Sequence, residues 1–215
     1  MLRKIRESRV NSVYEGFYTL EDFGLGCEDG GHLSPYTKSS ENVESDIMFV
    51  LQDWASEKFI KQGLSKETLK LGHDPKIKTN INLKNLLRSH FGKELADIYT
   101  TNLFPFIKKG PMNSKIPHSF MRRAASDFLI PAIKVISPKL VVCFGLSVFN
   151  AVRQELGFGR VTNIEEAVTS HIFFEGAIIF CQAHTGTLGQ NYRNRGGVSR
   201  VNSDWRLMKH FYDAS

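Results

Sequence analysis

Four short stretches of this chain carry side chains suited to chemistry. They are Gln52-Asp53-Trp54, Thr101-Asn102-Leu103, the run Gln182-Ala-His184-Thr185-Gly-Thr-Leu188-Gly189, and Gly145-Leu-Ser147. A carboxylate such as Asp53 can orient water or oppose a developing cation. An imidazole such as His184 can donate a hydrogen bond to an oxygen that is gaining charge. The amide of Asn102 carries both a donor and an acceptor, so it can pair with a ligand edge that presents the two together. Each residue also has an ordinary reading. Asp53 can cap a helix N-terminus, and Asn102 can occupy a left-handed turn. His184 can be a hydrogen-bonded structural histidine, Gln52 can satisfy strand-end backbone groups, and Leu188 can tuck into the core. The glycines Gly186, Gly189, Gly196 and Gly197 can mark turns alone. The joint arrangement favours a site.

What unites these stretches is the element that precedes each. Apolar runs rich in Val, Ile, Phe and Tyr at Ile47–Leu51, Ile98–Thr101, Leu140–Phe144 and Ala177–Cys181 read as buried strands. Helical spacing recurs between them: Leu83, Leu86, Leu87 and Phe91; Phe120, Ala124, Phe128 and Ile133, broken near Pro131; Val148, Ala151, Val152 and Leu156; Trp205, Met208, Phe211 and Tyr212. A further helix is expected over Leu2–Phe17, and Gly24–Ser40 reads as a long loop. Strands alternating with helices predict an α/β fold, a three-layer α/β/α arrangement around a mainly parallel four-stranded central sheet. Reactive positions in such sheets lie beyond the strands' carboxyl ends. Residues 1–215 read as a single domain, with 1–45 supplying a helix and loop before the first strand.

Composition excludes several classes. The 215 residues are 41% hydrophobic and 23% charged, which is globular and not disordered. A folded monomer of 24.4 kDa is expected to expose ~10,000 Å², against ~35,000 Å² unfolded. No apolar window spans a membrane, and basic Met1–Arg9 is followed by no apolar stretch of a secretory signal. The three cysteines Cys27, Cys143 and Cys181 lie far apart, which argues for a reducing compartment and against a four-cysteine zinc or iron–sulfur site. No metal or other cofactor is expected. A nucleotide-cofactor enzyme lacks its glycine-rich and Walker sequences, and a hydrolase of the Gly-x-Ser-x-Gly type lacks its elbow. Lys plus Arg outnumber Asp plus Glu by 28 to 22, a formal charge of +6. The excess is concentrated: Ile107–Arg123 holds five Lys and Arg and no acid, and Gln182–Arg200 holds Arg193, Arg195 and Arg200 and no acid. Such runs fit a polyanionic partner, or simply a solvated face.

Together the strand-end motifs resemble the uracil-DNA glycosylase superfamily, in the branch without an iron–sulfur cluster. Gln52-Asp53 after an apolar strand is similar to the family's first motif, and Asn102 in Tyr99-Thr-Thr-Asn-Leu to its base-reading asparagine. His184-Thr-Gly-Thr-Leu-Gly resembles its histidine-plus-leucine loop. Pro138-Lys-Leu-Val-Val-Cys-Phe-Gly resembles its third strand, and Asn82-Leu-Lys-Asn-Leu-Leu the helix before. The resemblance runs from about Asp46 to Phe211. It implies a monomeric DNA glycosylase that flips uracil or a related deaminated base out of DNA and hydrolyses the N-glycosidic bond. Asp53 and His184 would be catalytic, and Gln52, Trp54 and Asn102 would hold the base, with Trp54 or Phe59 stacking on it. Leu188 would fill the vacated stack, with Thr185, Arg193, Arg195 and Lys108 on the DNA backbone. No lysine accompanies the matched motifs, so no lyase intermediate is expected. The implied role is DNA repair, in the cytoplasm at the nucleoid or in the nucleus. Ala55 stands where one branch of the family has a tyrosine that excludes thymine, so looser base discrimination is expected. The alternatives are a catalytically silent DNA-binding module on the same fold and an unrelated α/β hydrolase or nucleotide-binding protein.

Overall fold

A computed structural model describes residues 1–25 and 34–215; Cys27 lies outside the described residues. The fold is α/β. Its central sheet has five strands, in the order β3-β2-β5-β7-β6. The four expected strands are there and mutually parallel: β2 (Ile47–Asp53), β3 (Tyr99–Phe104), β5 (Leu140–Phe144) and β7 (Ala177–Gln182). The fifth, β6 (Ile172–Phe174), is an antiparallel edge strand hairpinned to β7. Three residues carry too little pattern to be read from sequence. Two others, β1 (Phe17–Tyr18) and β4 (Ile107–Lys108), pair antiparallel in a separate ribbon.

Side chains alternate across the sheet, and both faces are buried, as parallel strands require. One face presents Met48, Val50, Leu103, Val141, Cys143 and Ile179 to a core shared with helices α1 (Leu2–Asn11), α5 (His118–Ala124), α6 (Ile130–Ile136), α7 (Leu146–Glu155) and α8 (Ile164–Ala167). The other presents Ile47, Phe49, Leu51, Val142, Phe144 and Phe180 to α4 (Lys78–Phe91) and α10 (Arg200–Ala214), around the fully buried Trp205. Short helices α2 (Glu57–Lys61), α3 (Lys66–Leu71) and α9 (Thr187–Arg193) sit near the strands' carboxyl ends.

The first helix ends at Asn11, short of the expected Phe17, because the chain turns at Gly16 to lay down β1. Between α5 and α6 a π-helical turn occupies Ala125–Leu129, directly before Pro131. The missing proline N–H locally breaks the regular hydrogen-bond ladder there, so helix direction continues through a bulge. Among the described residues no helix is long and apolar enough to cross a membrane. Cys143 and Cys181 are free, buried thiols that face each other in the β5–β7 register.

Candidate active site

Strand β2 runs two residues beyond its apolar stretch and ends on Gln52 and Asp53. The pairing of Asp53 with Phe104 of β3 fixes the carboxylate at the sheet's carboxyl edge. Gln52 Nε2 donates to Asp53 Oδ1 at 2.9 Å, and the Lys108 ammonium lies 2.9 Å from Oδ2. Both charged side chains are nearly closed to bulk water, 7% exposed for Asp53 and 4% for Lys108. The helix-cap alternative for Asp53 is answered by Ser56, whose hydroxyl accepts the Phe59 N–H and caps α2.

At the end of β7 the chain leaves the sheet through Ala183 and presents His184. The Gly186 backbone N–H donates to His184 Nδ1 at 3.0 Å, so the neutral ring carries its proton on Nε2. The His184 residue is exposed to solvent where it borders the pocket; the partial desolvation it meets there lowers its pKa, against a smaller upward pull from the Asp53 carboxylate. The loop is tied down from three sides. Thr185 Oγ1 donates to the Thr79 carbonyl at 2.9 Å, Asn82 Nδ2 to the Thr185 carbonyl at 2.8 Å, and Gln190 Nε2 to the His184 carbonyl at 3.2 Å. Gly189 packs so closely on that carbonyl that a Cβ there would lie 2.3 Å from the oxygen.

Asp53, Gln52, Lys108 and His184 share one pocket of about 280 Å³. Its walls include Trp54 and Phe59, and the Trp54 Nε1–H donates to the Gly72 carbonyl at 2.9 Å. Both aromatic residues expected to contact a base thus line the cavity. Across the pocket stand Tyr36, His73 and Asn80, which sequence reading had passed over. His73 stacks on Tyr36 with ring centroids 5.3 Å apart and planes 4° from parallel. Its Nδ1 meets Ser39 Oγ at 3.0 Å and the Leu71 carbonyl at 3.3 Å, while Nε2 has no hydrogen-bond partner among the described residues. Burial lowers the His73 pKa, with Lys84 adding to the effect. The one sequence signal was Gly72-His-Asp-Pro75, a turn dense in polar groups.

A second cavity of about 400 Å³ adjoins the first and shares Gln52, Lys108 and Met112 with it. Lys115, His118, Arg160 and Ser147 line its remainder. It lies between the carboxyl ends of β2 and β5, where the strand order reverses direction. Among the described residues no group of three His, Cys, Asp or Glu side chains is placed to hold a metal ion.

Several expected placements are corrected. Strand β3 continues to Phe104, so Asn102 lies inside it opposite Leu51 and not beyond its end. Its side chain is fully buried, off the pocket wall, with neither amide atom partnered among the described residues. Lys108 is not a surface cation for phosphate: it is buried against Asp53 and also donates to the Met112 carbonyl. That contact also removes the ground for expecting no lysine at the site. Arg193 is buried in a bidentate pair with Asp204 of α10, Nε–Oδ2 2.7 Å and Nη2–Oδ1 2.8 Å. Thr185 is fully buried and serves as a loop anchor. Ala55 is fully buried behind Trp54 and does not line the pocket, so it is not the position that limits guest size. By contrast Leu188 is 87% exposed at the start of α9, which removes the core-packing alternative. Arg195 also stays at the surface, beside Glu165 and over the Tyr192 ring.

Compared with known proteins, the chain matches no protein-family model and no curated protein.

Proposed function

We propose that the protein is a metal-independent DNA glycosylase that captures an extruded deaminated base, uracil or a relative of it, and hydrolyses its N-glycosidic bond. The observation that carries this reading is the meeting of Asp53 and His184 on one base-sized, aromatic-walled pocket, with an exposed leucine on the helix that follows the histidine's loop. Breaking the bond places positive charge on the sugar and negative charge on the departing base. The Asp53 carboxylate, held by Gln52, orients water and opposes the sugar cation. The Nε2–H of neutral His184 donates to a base carbonyl as charge accumulates on it. Trp54 or Phe59 stacks on the base, and Leu188 enters the gap it leaves in the helix. Lys115 and Arg160 in the adjoining cavity, with Arg195 at the surface just beyond α9, suit backbone phosphates and carry no sequence preference. The work is base-excision repair, on the DNA of a nucleoid or nucleus.

The deciding experiment incubates the protein with labelled oligonucleotides carrying uracil, hypoxanthine, xanthine or a mismatched thymine. Alkali then cleaves any abasic sites. Strand scission at one or more of these lesions is the expected result, and intact strands at all four would overturn the activity. One observation favours a second reading, a silent DNA-binding module: the Lys108 ammonium offsets the Asp53 charge on which hydrolysis depends. In that case the protein binds DNA and leaves all four lesions in place.

A further inference from the structure

We infer that Lys108 gives this site a second activity, cleavage of the DNA strand at an abasic sugar through an imine formed on its side-chain nitrogen. The inference rests on the glycosylase reading for its substrate. It begins from an electrostatic conflict. An ammonium 2.9 Å from Asp53 weakens the field that would stabilise a sugar cation, so a purely hydrolytic site is better without it. The fold nevertheless holds Lys108 there firmly. Its strand pairs with Phe17 on one side and bridges to Ser56 on the other, and the ammonium also donates to the Met112 carbonyl. Among the described residues Lys108 is the one lysine on the wall of the Asp53 pocket. It lines the adjoining cationic cavity as well, so it stands between the base site and the groove suited to phosphates.

A lysine nearly closed to bulk water, on the wall of a pocket that receives a carbonyl compound, is placed to form an imine once it loses its proton, and the carboxylate beside it is the base within reach of that proton. After base loss, C1′ of the sugar is a hemiacetal in equilibrium with an aldehyde. Asp53 takes a proton from the ammonium, and the freed Nζ electron pair adds to the aldehyde carbon. Asp53 returns that proton to the resulting hydroxyl, which leaves as water and yields the iminium between Nζ and C1′. A C2′ proton then passes to water, and the C3′–O bond breaks with its electron pair leaving on the 3′ phosphate. Hydrolysis of the imine restores Lys108 and releases the unsaturated aldehyde. No oxidant, reductant or metal enters.

The test uses the full chain and an oligonucleotide carrying a preformed abasic site, so no base need be released first. Sodium borohydride is added to reduce any iminium to a stable amine. The expected result is a covalent protein–DNA adduct that peptide mapping places on Lys108, and its loss in Lys108→Arg, which keeps the charge and cannot form the imine. Lys134→Arg, on the surface beside Glu175, serves as the control. Absence of an adduct, or an adduct that maps elsewhere, overturns the inference; wild-type mapping decides the matter even if the Lys108 variant does not fold. Base release without an adduct would sink this activity alone. An adduct without base release from any lesion would sink the glycosylase reading and leave this one standing.

Discussion

Each charged residue of the site is coupled to a neighbour, and this shapes what substitution does. Asp53→Asn is expected to lower base release by roughly 10²–10³-fold, the scale of losing one charge-stabilising group. It also leaves the buried Lys108 ammonium without its counter-charge, which destabilises the fold by about 3–5 kcal/mol. The rate must therefore be measured well below the lowered melting temperature. Near-normal turnover in folded Asp53→Asn would exclude the carboxylate. The two histidines make a pH prediction. His73 and His184 both have folded pKa values below the ordinary 6.5. The unfolded chain then binds more protons than the folded one between the two values, so stability rises with pH there. Their contribution is fully present above about pH 6.5 and is lost as pH falls through the folded values. Urea midpoints measured from pH 8 to 5 should fall on the acid side, and less steeply in His73→Gln.

At the scale of elements, α9 and the loop before it carry the histidine and the leucine together. Leu188→Ala should change stability by less than about 0.5 kcal/mol, because the side chain is exposed. It should slow release of a base paired in duplex by roughly tenfold, from the lost apolar burial of the inserted chain, with little effect on single strands. Equal slowing on both substrates would remove the wedge role. Arg193→Ala, by contrast, should destabilise the protein by about 3–5 kcal/mol, because it leaves Asp204 charged and buried. The elements differ in how far the sequence exposes them. The four parallel strands were legible because both faces are buried and each strand is a continuous apolar run. β1, β4 and β6 were not, since two or three residues carry no period. Asp53 and His184 were legible from their places just after such runs. Lys108 was read as one cation of a basic run because nothing local announces its buried partner, which lies on another strand. Arg193 misled in the same way: Asp204 sits on the next helix.

The whole molecule exposes 10174 Å², as expected for its mass, and its charge is unevenly spent. Arg193 and Lys108 are neutralised internally, so the cations available to a polyanion are fewer than the composition suggests. Replacing Arg193 and Arg195 together should therefore reduce the slope of log K against log salt by only about 0.9, one phosphate's worth on duplex DNA. Replacing Lys115 and Arg160 together should reduce it by roughly twice that. Unchanged slopes in the second pair would take the cationic cavity out of the interface.

The buried Arg193–Asp204 pair has one more consequence. It clamps the far end of α9 to α10, while Gln190 and Gly189 fasten the near end to the backbone of His184. The leucine tip and the imidazole thus ride on one stiff mount at a fixed spacing. If the protein acts on DNA as proposed, a duplex meeting such a surface would have to supply the deformation itself, since the protein has little give at that point. The first filter would then be mechanical: pairs that open easily, such as mismatched or damaged ones, would reach the pocket, and well-stacked pairs would stay closed before any hydrogen bond inspects the base.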